Sequence, residues 1–387
     1  MNIEIERVAG LFASEALDMP VTRRDEVPHS YAAITDAWLT DVLCRDHRGA
    51  AVIAHSFDER DDGSSNRRRI MLEYNSPGRD AGLPVTVFCK AAETLNNRLV
   101  LGLSRAAQIE ADFYNLVRGR MEIEAPEGLY ASFDPENFAS LIMLRDLRGA
   151  ATFCDDRTEM TRELAEQQIR TLANLHSRFY QSPELSSPTL PFITWPQWWA
   201  RMMAASPDFE ACCDRAFGQC EDIMPARLFA RRSEIWPATM ASVAQHDNLP
   251  QTLIHCDVHL KNWYIANDGA MGLSDWQITT VGHWSRDLIY TMTTALTIDN
   301  RRAWEKDLVE LYLDLMAERG VPREPIDQVW AALRQQLMSA LAFWTITLCP
   351  AEGMPDMQPL RTTREFLNRL LTAIDDHASL DACLAGK

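Results

Sequence analysis

Residues 262–276 read NWYIANDGAMGLSDW, two short apolar runs on either side of Asn-Asp-Gly. Such a stretch has few options other than a β-hairpin, because asparagine, aspartate and glycine accept the left-handed backbone that a tight turn requires. Directly before it stands HCDVHLKN, His255–Asn262, with two histidines, an aspartate, a lysine and an asparagine in eight positions. With Asp268 and Gly269 as the central turn residues, Asn262 and Asp275 oppose each other across the hairpin, their Cα atoms ~4.5–5.5 Å apart. An amide oxygen and a carboxylate then meet beside Asp257. Hard oxygen ligands of this kind suit magnesium, which leaves its other positions to phosphate and water.

Three chemistries compete for the octet: a metal-hydrolase cluster, a phosphotransferase loop, or a polar loop without chemistry. A hydrolase would take His255, Asp257 and His259 as ligands and would need further histidine or carboxylate clusters. The other histidines are spread singly, and His176, His246 and His283 have no ligand-like company. The nine cysteines are scattered without a C-x-x-C pair and read as reduced, partly buried thiols.

The remaining chain carries two kinds of pattern. After a helix start at Thr35, AVIAHSF, RRIMLEY and LPVTVFCK alternate like short antiparallel strands, separated by DERDDGSSN and NSPGRDAG. In SRAAQIEADFYNLVRG, Ile109, Phe113, Leu116 and Val117 recur at helical spacing, and ASLIML adds a strand before RDLRGA. Beyond residue 155 long amphipathic stretches take over, such as TRELAEQQIRTLANLHSRFY and KDLVELYLDLMAERG. The expected architecture is α+β, a sheet-rich part over residues 1–144 and a larger, mainly helical part over 145–387.

Composition narrows the function. A hydrophobic content of 47% with 24% charged residues fits a soluble globular protein. No run reaches the roughly 18 apolar residues of a membrane span, and MNIEIERVAG lacks the basic start of a signal peptide. The reading is cytoplasmic. A net charge of −17 argues against nucleic acid or an anionic membrane as main partner. Only four of the 38 basic residues are lysines, which draws attention to Lys90 at the end of a strand.

The order His-x-Asp-x-x-x-x-Asn, hairpin, Asp resembles the catalytic segment of protein-kinase-like phosphotransferases. HCDVHLKN, LSDWQ and GHWSRDLIY together resemble the aminoglycoside phosphotransferase and choline kinase family, and EADFYNL, LIMLRDL and DWQ resemble its ecdysteroid-kinase-like branch. The resemblance implies a two-lobed protein-kinase-like fold, with nucleotide between an antiparallel-sheet N-lobe and a helical C-lobe. It implies transfer of the γ-phosphate of ATP, with Mg2+, to a hydroxyl of a small molecule. Asp257 would act on that hydroxyl, and Asn262 and Asp275 would hold the metal. Lys90, paired with Glu110, would contact phosphates under the turn of Gly63, Ser64, Ser65 and Asn66. Met143, Leu144, Arg145 and Asp146 would form the nucleotide hinge, largely through backbone groups. Arg145 stands where this branch often carries an acid, so GTP stays open beside ATP. His255 would brace the loop, and Asp287 would support it from the following helix. His259 and Lys261 would either reach the γ-phosphate or face solvent.

The acceptor is expected to be small and largely apolar, such as a hydroxysteroid or similar secondary metabolite. Trp195, Trp198 and Trp199 cluster in TWPQWWA, and Trp263, Trp276 and Trp284 surround the octet. Aromatic rings of this kind suit a pocket over a rigid hydrocarbon, although Trp263 reads as core packing. A cationic acceptor, aminoglycoside or choline, is the alternative that the acidic charge keeps open, and a nucleotide-binding protein without turnover is another.

Overall fold

The computed structural model describes residues 2–206, 208–351 and 357–385. Two compact units emerge. The first takes in the chain up to Arg120, Pro126–Gly149 and Trp276–Ile278; the second takes in Met121–Ala125, Ala150–Asp275 and the chain from Thr279 onward. The α+β class expected from the sequence holds, with an antiparallel sheet in the first unit and mainly helices in the second.

The first unit contains helices α1 (Asn2–Ser14), α2 (Asp36–Leu43), α3 (Ser76–Asp80), α4 (Leu95–Leu103) and α5 (Ala106–Asp112). Its strands are β1 (Val52–Phe57), β2 (Asp61–Asp62), β3 (Asn66–Tyr74), β4 (Thr86–Ala91), β5 (Gly128–Phe133) and β6 (Ser140–Arg145). They pair antiparallel in the order β1-β3-β4-β6-β5, with β2 beside β3. Thr35 caps α2 by accepting the Trp38 N–H at 3.1 Å. Trp38, Leu39 and Val42 then pack against Ile70, Val87, Cys89 and Met143 on one face of the sheet.

The helix expected over SRAAQIEADFYNLVRG forms. It begins after Arg105, at φ +62, as α5, and continues without a break into a π-helical turn at Phe113–Val117. Such widened turns occur mostly at functional sites. Phe113 stacks on Trp276 at 3.9 Å.

In the second unit β7 (Ala151–Phe153), β9 (Trp263–Ala266) and β10 (Met271–Leu273) form one small sheet, in the order β10-β9-β7. β8 (Thr252–Ile254) pairs separately with β11 (Thr280–Gly282). The helices are α6 (Arg162–Phe179), α7 (Trp195–Ala205), α8 (Phe209–Gln219), α9 (Ala226–Phe229) and α10 (Ile235–Gln245). They continue as α11 (Ser285–Ala295), α12 (Ile298–Glu318), α13 (Ile326–Leu348), α14 (Leu360–Asp376) and α15 (Ser379–Leu384). α13 packs against α8, α10, α11, α14 and α15. Every residue of α11 is buried, which fixes the helix that carries Asp287. Among the described residues no helix is long and apolar enough to cross a membrane.

Candidate active site

In the first unit, β4 turns Val87, Cys89 and Ala91 into the core and Lys90 to the opposite face. Lys90 Nζ lies 2.8 and 2.9 Å from the two carboxylate oxygens of Glu110, which is buried on α5. A buried carboxylate keeps its charge when a cation stands beside it, so each partner fixes the other. Between β2 and β3, Gly63 N–H donates to Ser65 O at 3.0 Å. Asn97 of α4 anchors this turn, donating from Nδ2 to the carbonyls of Gly63 and Ser64 at 2.9 and 2.8 Å. Asn66 is buried, with its amide engaged at both ends: Nδ2 donates to Asp62 at 2.7 Å and Oδ1 accepts the Glu93 N–H at 2.8 Å. Asn66 is a brace of the turn.

In the second unit, Asp257 stands on the loop between β8 and β9, and α11 holds that loop. The Asp287 carboxylate accepts the N–H groups of His255 and Cys256 at 2.6 and 2.9 Å and faces His176 Nε2 at 3.2 Å. Burial pushes the Asp287 pKa up, but His176 and the loop amides outweigh it and hold the carboxyl below its ordinary range. Arg286, also buried, donates to Cys256 O at 3.0 Å and Ser339 Oγ at 2.6 Å, with its guanidinium 4.1 Å above the Trp195 ring. Cys256 is thus gripped through both backbone groups and adopts φ +68. A left-handed non-glycine residue costs about 1–2 kcal/mol, and such strain gathers at functional loops.

The His255 Nδ1 accepts the Asp257 N–H at 3.1 Å, which leaves Nε2–H to donate to Ser274 O at 3.0 Å. Both ring nitrogens serve the backbone. That arrangement needs a neutral ring, and burial keeps the His255 pKa below its usual value. A ligand set of His255, Asp257 and His259 is therefore not formed. Asn262 closes the loop by donating from Nδ2 to Asp257 O at 2.7 Å and Oδ2 at 3.2 Å.

The hairpin forms, but one residue out of the expected register. Leu273 pairs with Trp263 and Gly272 with Tyr264, so Ser274, not Asp275, opposes Asn262. Ser274 donates to Asn262 O from both N and Oγ, at 2.8 and 2.9 Å. The cause is a three-residue loop, Asn267–Gly269. Ala266 N–H bonds to Ala270 O, Gly269 N–H bonds to Ala266 O, and Gly269 takes φ +88, the type I turn followed by a left-handed glycine. Asp275 follows at φ +66. Its charge acts on the His255 ring, against the larger effect of burial. An amide oxygen and a carboxylate are donor types that magnesium takes. Asn262 has committed its amide nitrogen to Asp257, which leaves the oxygen as its ligand atom, and Asp275 would add a carboxylate.

The sequence profile of the phosphotransferase enzyme family matches residues 100–338, well over half of the chain. The chain belongs to this family. The matched span includes Glu110, the octet, Asp275 and Asp287, and begins after Lys90 and the Gly63–Asn66 turn. Solved structures similar to this phosphotransferase include a choline kinase from Streptococcus pneumoniae, at 13% identity over 85% of this chain and 94% of that one, TM-score 0.45. A macrolide 2'-phosphotransferase from Brachybacterium faecium is 15% identical over 91% and 99%, TM-score 0.46. A spectinomycin phosphotransferase in complex with ADP and spectinomycin is 13% identical over 87% and 96%, TM-score 0.45. None of the curated proteins matches the sequence.

Several expected site residues of the phosphotransferase sit differently from their sequence reading. β6 lies between β4 and β5: Met143 pairs with Cys89 and Tyr130, and Leu144 with Phe88 and Gly128. The peptide groups of Met143 and Leu144 are thus paired within the sheet. Arg145 ends the ladder, exposed, with its guanidinium 2.5 Å from Glu127. Asp146 is tied to Arg69 at 3.0 Å. His259 does not face solvent. It is buried among Tyr290, Trp344 and Phe366, with Nε2 3.6 Å from Asp257 Oδ2. Lys261 bonds to Gln358.

All six tryptophans singled out from the sequence are buried. Trp195 stacks on Trp198 at 5.3 Å, and Trp199 packs edge-on to Phe343 at 5.6 Å. These rings are packed side chains, which removes the open aromatic pocket that their spacing suggested. Their indole N–H groups on α7 have no hydrogen-bond partner among the described residues. Arg286, Tyr290, His176 and Asn97 are contributors that sequence reasoning missed. For Tyr290 a signal existed, because Asp287 and Tyr290 are three apart on one helix and share a face.

Proposed function

We propose that the chain is an ATP-dependent small-molecule kinase in which Asp257 orients and deprotonates the acceptor hydroxyl. The observation that carries this reading is the restraint on Asp257. Its N–H is held by His255, its carbonyl and Oδ2 by Asn262, and its neighbour Cys256 by Asp287 and Arg286. A general base has to meet its proton at hydrogen-bond range, and a carboxylate fixed in advance reaches it without reorganisation. Asn262 and Asp275 would hold Mg2+, which when bound neutralises charge on the transferring phosphoryl group. Lys90, kept in place by Glu110, binds phosphate oxygens of the nucleotide, and the turn offers them the backbone N–H groups of Ser64 and Ser65. ATP is the nucleotide of this reading, with GTP open because Arg145 bonds to Glu127 at the end of β6.

The acceptor in this reading is a hydroxylated, largely apolar molecule, as in the ecdysteroid-kinase-like branch. Support comes from the resemblance of EADFYNL, LIMLRDL and DWQ to that branch. The net charge of −17 favours a second reading, a cationic acceptor of the aminoglycoside or choline type. Incubation with labelled ATP and a panel of hydroxysteroids, aminoglycosides and choline, read by mass spectrometry for added phosphate, decides between them. Turnover confined to the cationic compounds overturns the apolar acceptor; turnover of none overturns the kinase reading for these classes.

A further inference from the structure

His259 is the loop residue whose surroundings the reaction has not explained. It lies two residues after Asp257, is 7% exposed, and packs edge-on to Trp344 at 5.3 Å, with Tyr290 and Phe366 completing its walls. A ring in such a box would be better served, for folding alone, by phenylalanine. A buried imidazole nitrogen without a partner is destabilising, and among the described residues Nδ1 of His259 has none. The other nitrogen, Nε2, stands 3.6 Å from Asp257 Oδ2.

Both nearby amide and imidazole groups bear on the same carboxylate oxygen. Asn262 Nδ2 donates to Asp257 Oδ2 at 3.2 Å, and His259 Nε2 approaches that oxygen from the aromatic box. The Tyr290 hydroxyl, in the same box, also bears on the Asp257 carboxylate. The box itself is hydrogen-bonded: Trp344 Nε1–H donates to the Tyr290 hydroxyl at 2.7 Å. His259 has little room to rotate, so Nε2 keeps its direction.

We propose that His259 is a positioning residue: its Nε2–H holds Asp257 Oδ2, turns Oδ1 towards the acceptor hydroxyl, and makes no contact with the nucleotide. The 3.6 Å separation belongs to the protein without substrates; such contacts tighten when the reacting complex assembles.

This role rests on Asp257 being the base, and the experiment separates the two claims. Glutamine carries its amide nitrogen where histidine has Nε2, and asparagine carries it where histidine has Nδ1. Steady-state kinetics are measured with Mg-ATP, water taking the place of the acceptor, for His259→Phe, His259→Gln, His259→Asn and Asp257→Asn. A carboxylate displaced by about 1 Å loses on the order of 100-fold in rate, so His259→Phe is expected to lower kcat by about that factor. Its KM for ATP and its melting temperature should stay at wild-type values, and His259→Gln should recover most of kcat while His259→Asn does not. Equal rates for Gln and Asn, or a rise in KM for ATP matching the fall in kcat, overturn the positioning role. Wild-type turnover by Asp257→Asn overturns instead the reading of Asp257 as base.

Discussion

The Lys90–Glu110 pair and the His255–Asn262 loop are built in opposite ways. The pair joins two side chains at regular positions, one on β4 and one on α5, whose charged ends meet at 2.8 Å. Each element supplies a single residue, and the alternation of the strand already turns the ammonium to the correct face. The loop is irregular and is held through its backbone, by Asp287 on the amides of His255 and Cys256 and by Arg286 on the Cys256 carbonyl. A regular element positions by periodicity. An irregular one needs a hydrogen-bond partner for each peptide group it buries.

That contrast predicts graded consequences. The largest effect is expected from Asp287→Ala, which strands two buried loop amides and His176 together. Breaking such a buried charged network costs about 3–5 kcal/mol, so urea unfolding should show a loss of that size together with loss of activity. Wild-type stability in this variant breaks the comparison, since the loop would then be self-supporting. Asp257→Asn comes next, because it touches chemistry and leaves the scaffold in place. Removing a general base lowers turnover by about 10²–10⁴-fold, with nucleotide affinity retained in a fluorescent-nucleotide titration.

Acid should act on the second unit through its buried histidines. His246 donates to Gln336 at 2.7 Å, accepts the His283 N–H at 3.0 Å, and burial lowers its pKa to about 3. The folded value lies below the unfolded one, so the unfolded chain takes up the proton first. Stability from this neutral ring is complete above about pH 6.5 and declines by ~1.4 kcal/mol per pH unit below it. A urea midpoint equal at pH 7 and pH 5 contradicts this. The smallest effect is expected from Lys90→Arg. The planar guanidinium cannot reproduce a compact ammonium between a carboxylate and phosphates, which should reduce kcat/KM about tenfold, or ~1.4 kcal/mol. A loss as large as that of Asp257→Asn would erase the distinction between binding and chemistry.

Much of the pair was legible and less of the loop. Alternation in LPVTVFCK and helical spacing around Ile109 put Lys90 and Glu110 on facing elements, and the structure joins them. The octet identified itself by composition, but its geometry did not follow. The hairpin register turned on whether the loop has two residues or three, and Asn267, Asp268 and Gly269 suit either count. GLYASF, the bulged strand β5, escaped notice, and with it the second neighbour of β6. His259 reads as either reaching the γ-phosphate or facing solvent because its walls, Trp344 and Phe366, come from α13 and α14, far along the chain. Local pattern cannot report a contact whose other half lies in a distant helix.

The nine cysteines have a use of their own. All are free and buried, and burial raises the thiol of Cys213 to about 12 and that of Cys89 further still. Thiolate is then vanishingly scarce at neutral pH, so an alkylating reagent modifies these sulfurs only while the surrounding structure is open. Cys89 lies in β4 and Cys213 in α8. Alkylation followed peptide by peptide therefore clocks the sheet and the helices separately, without any probe having to be introduced.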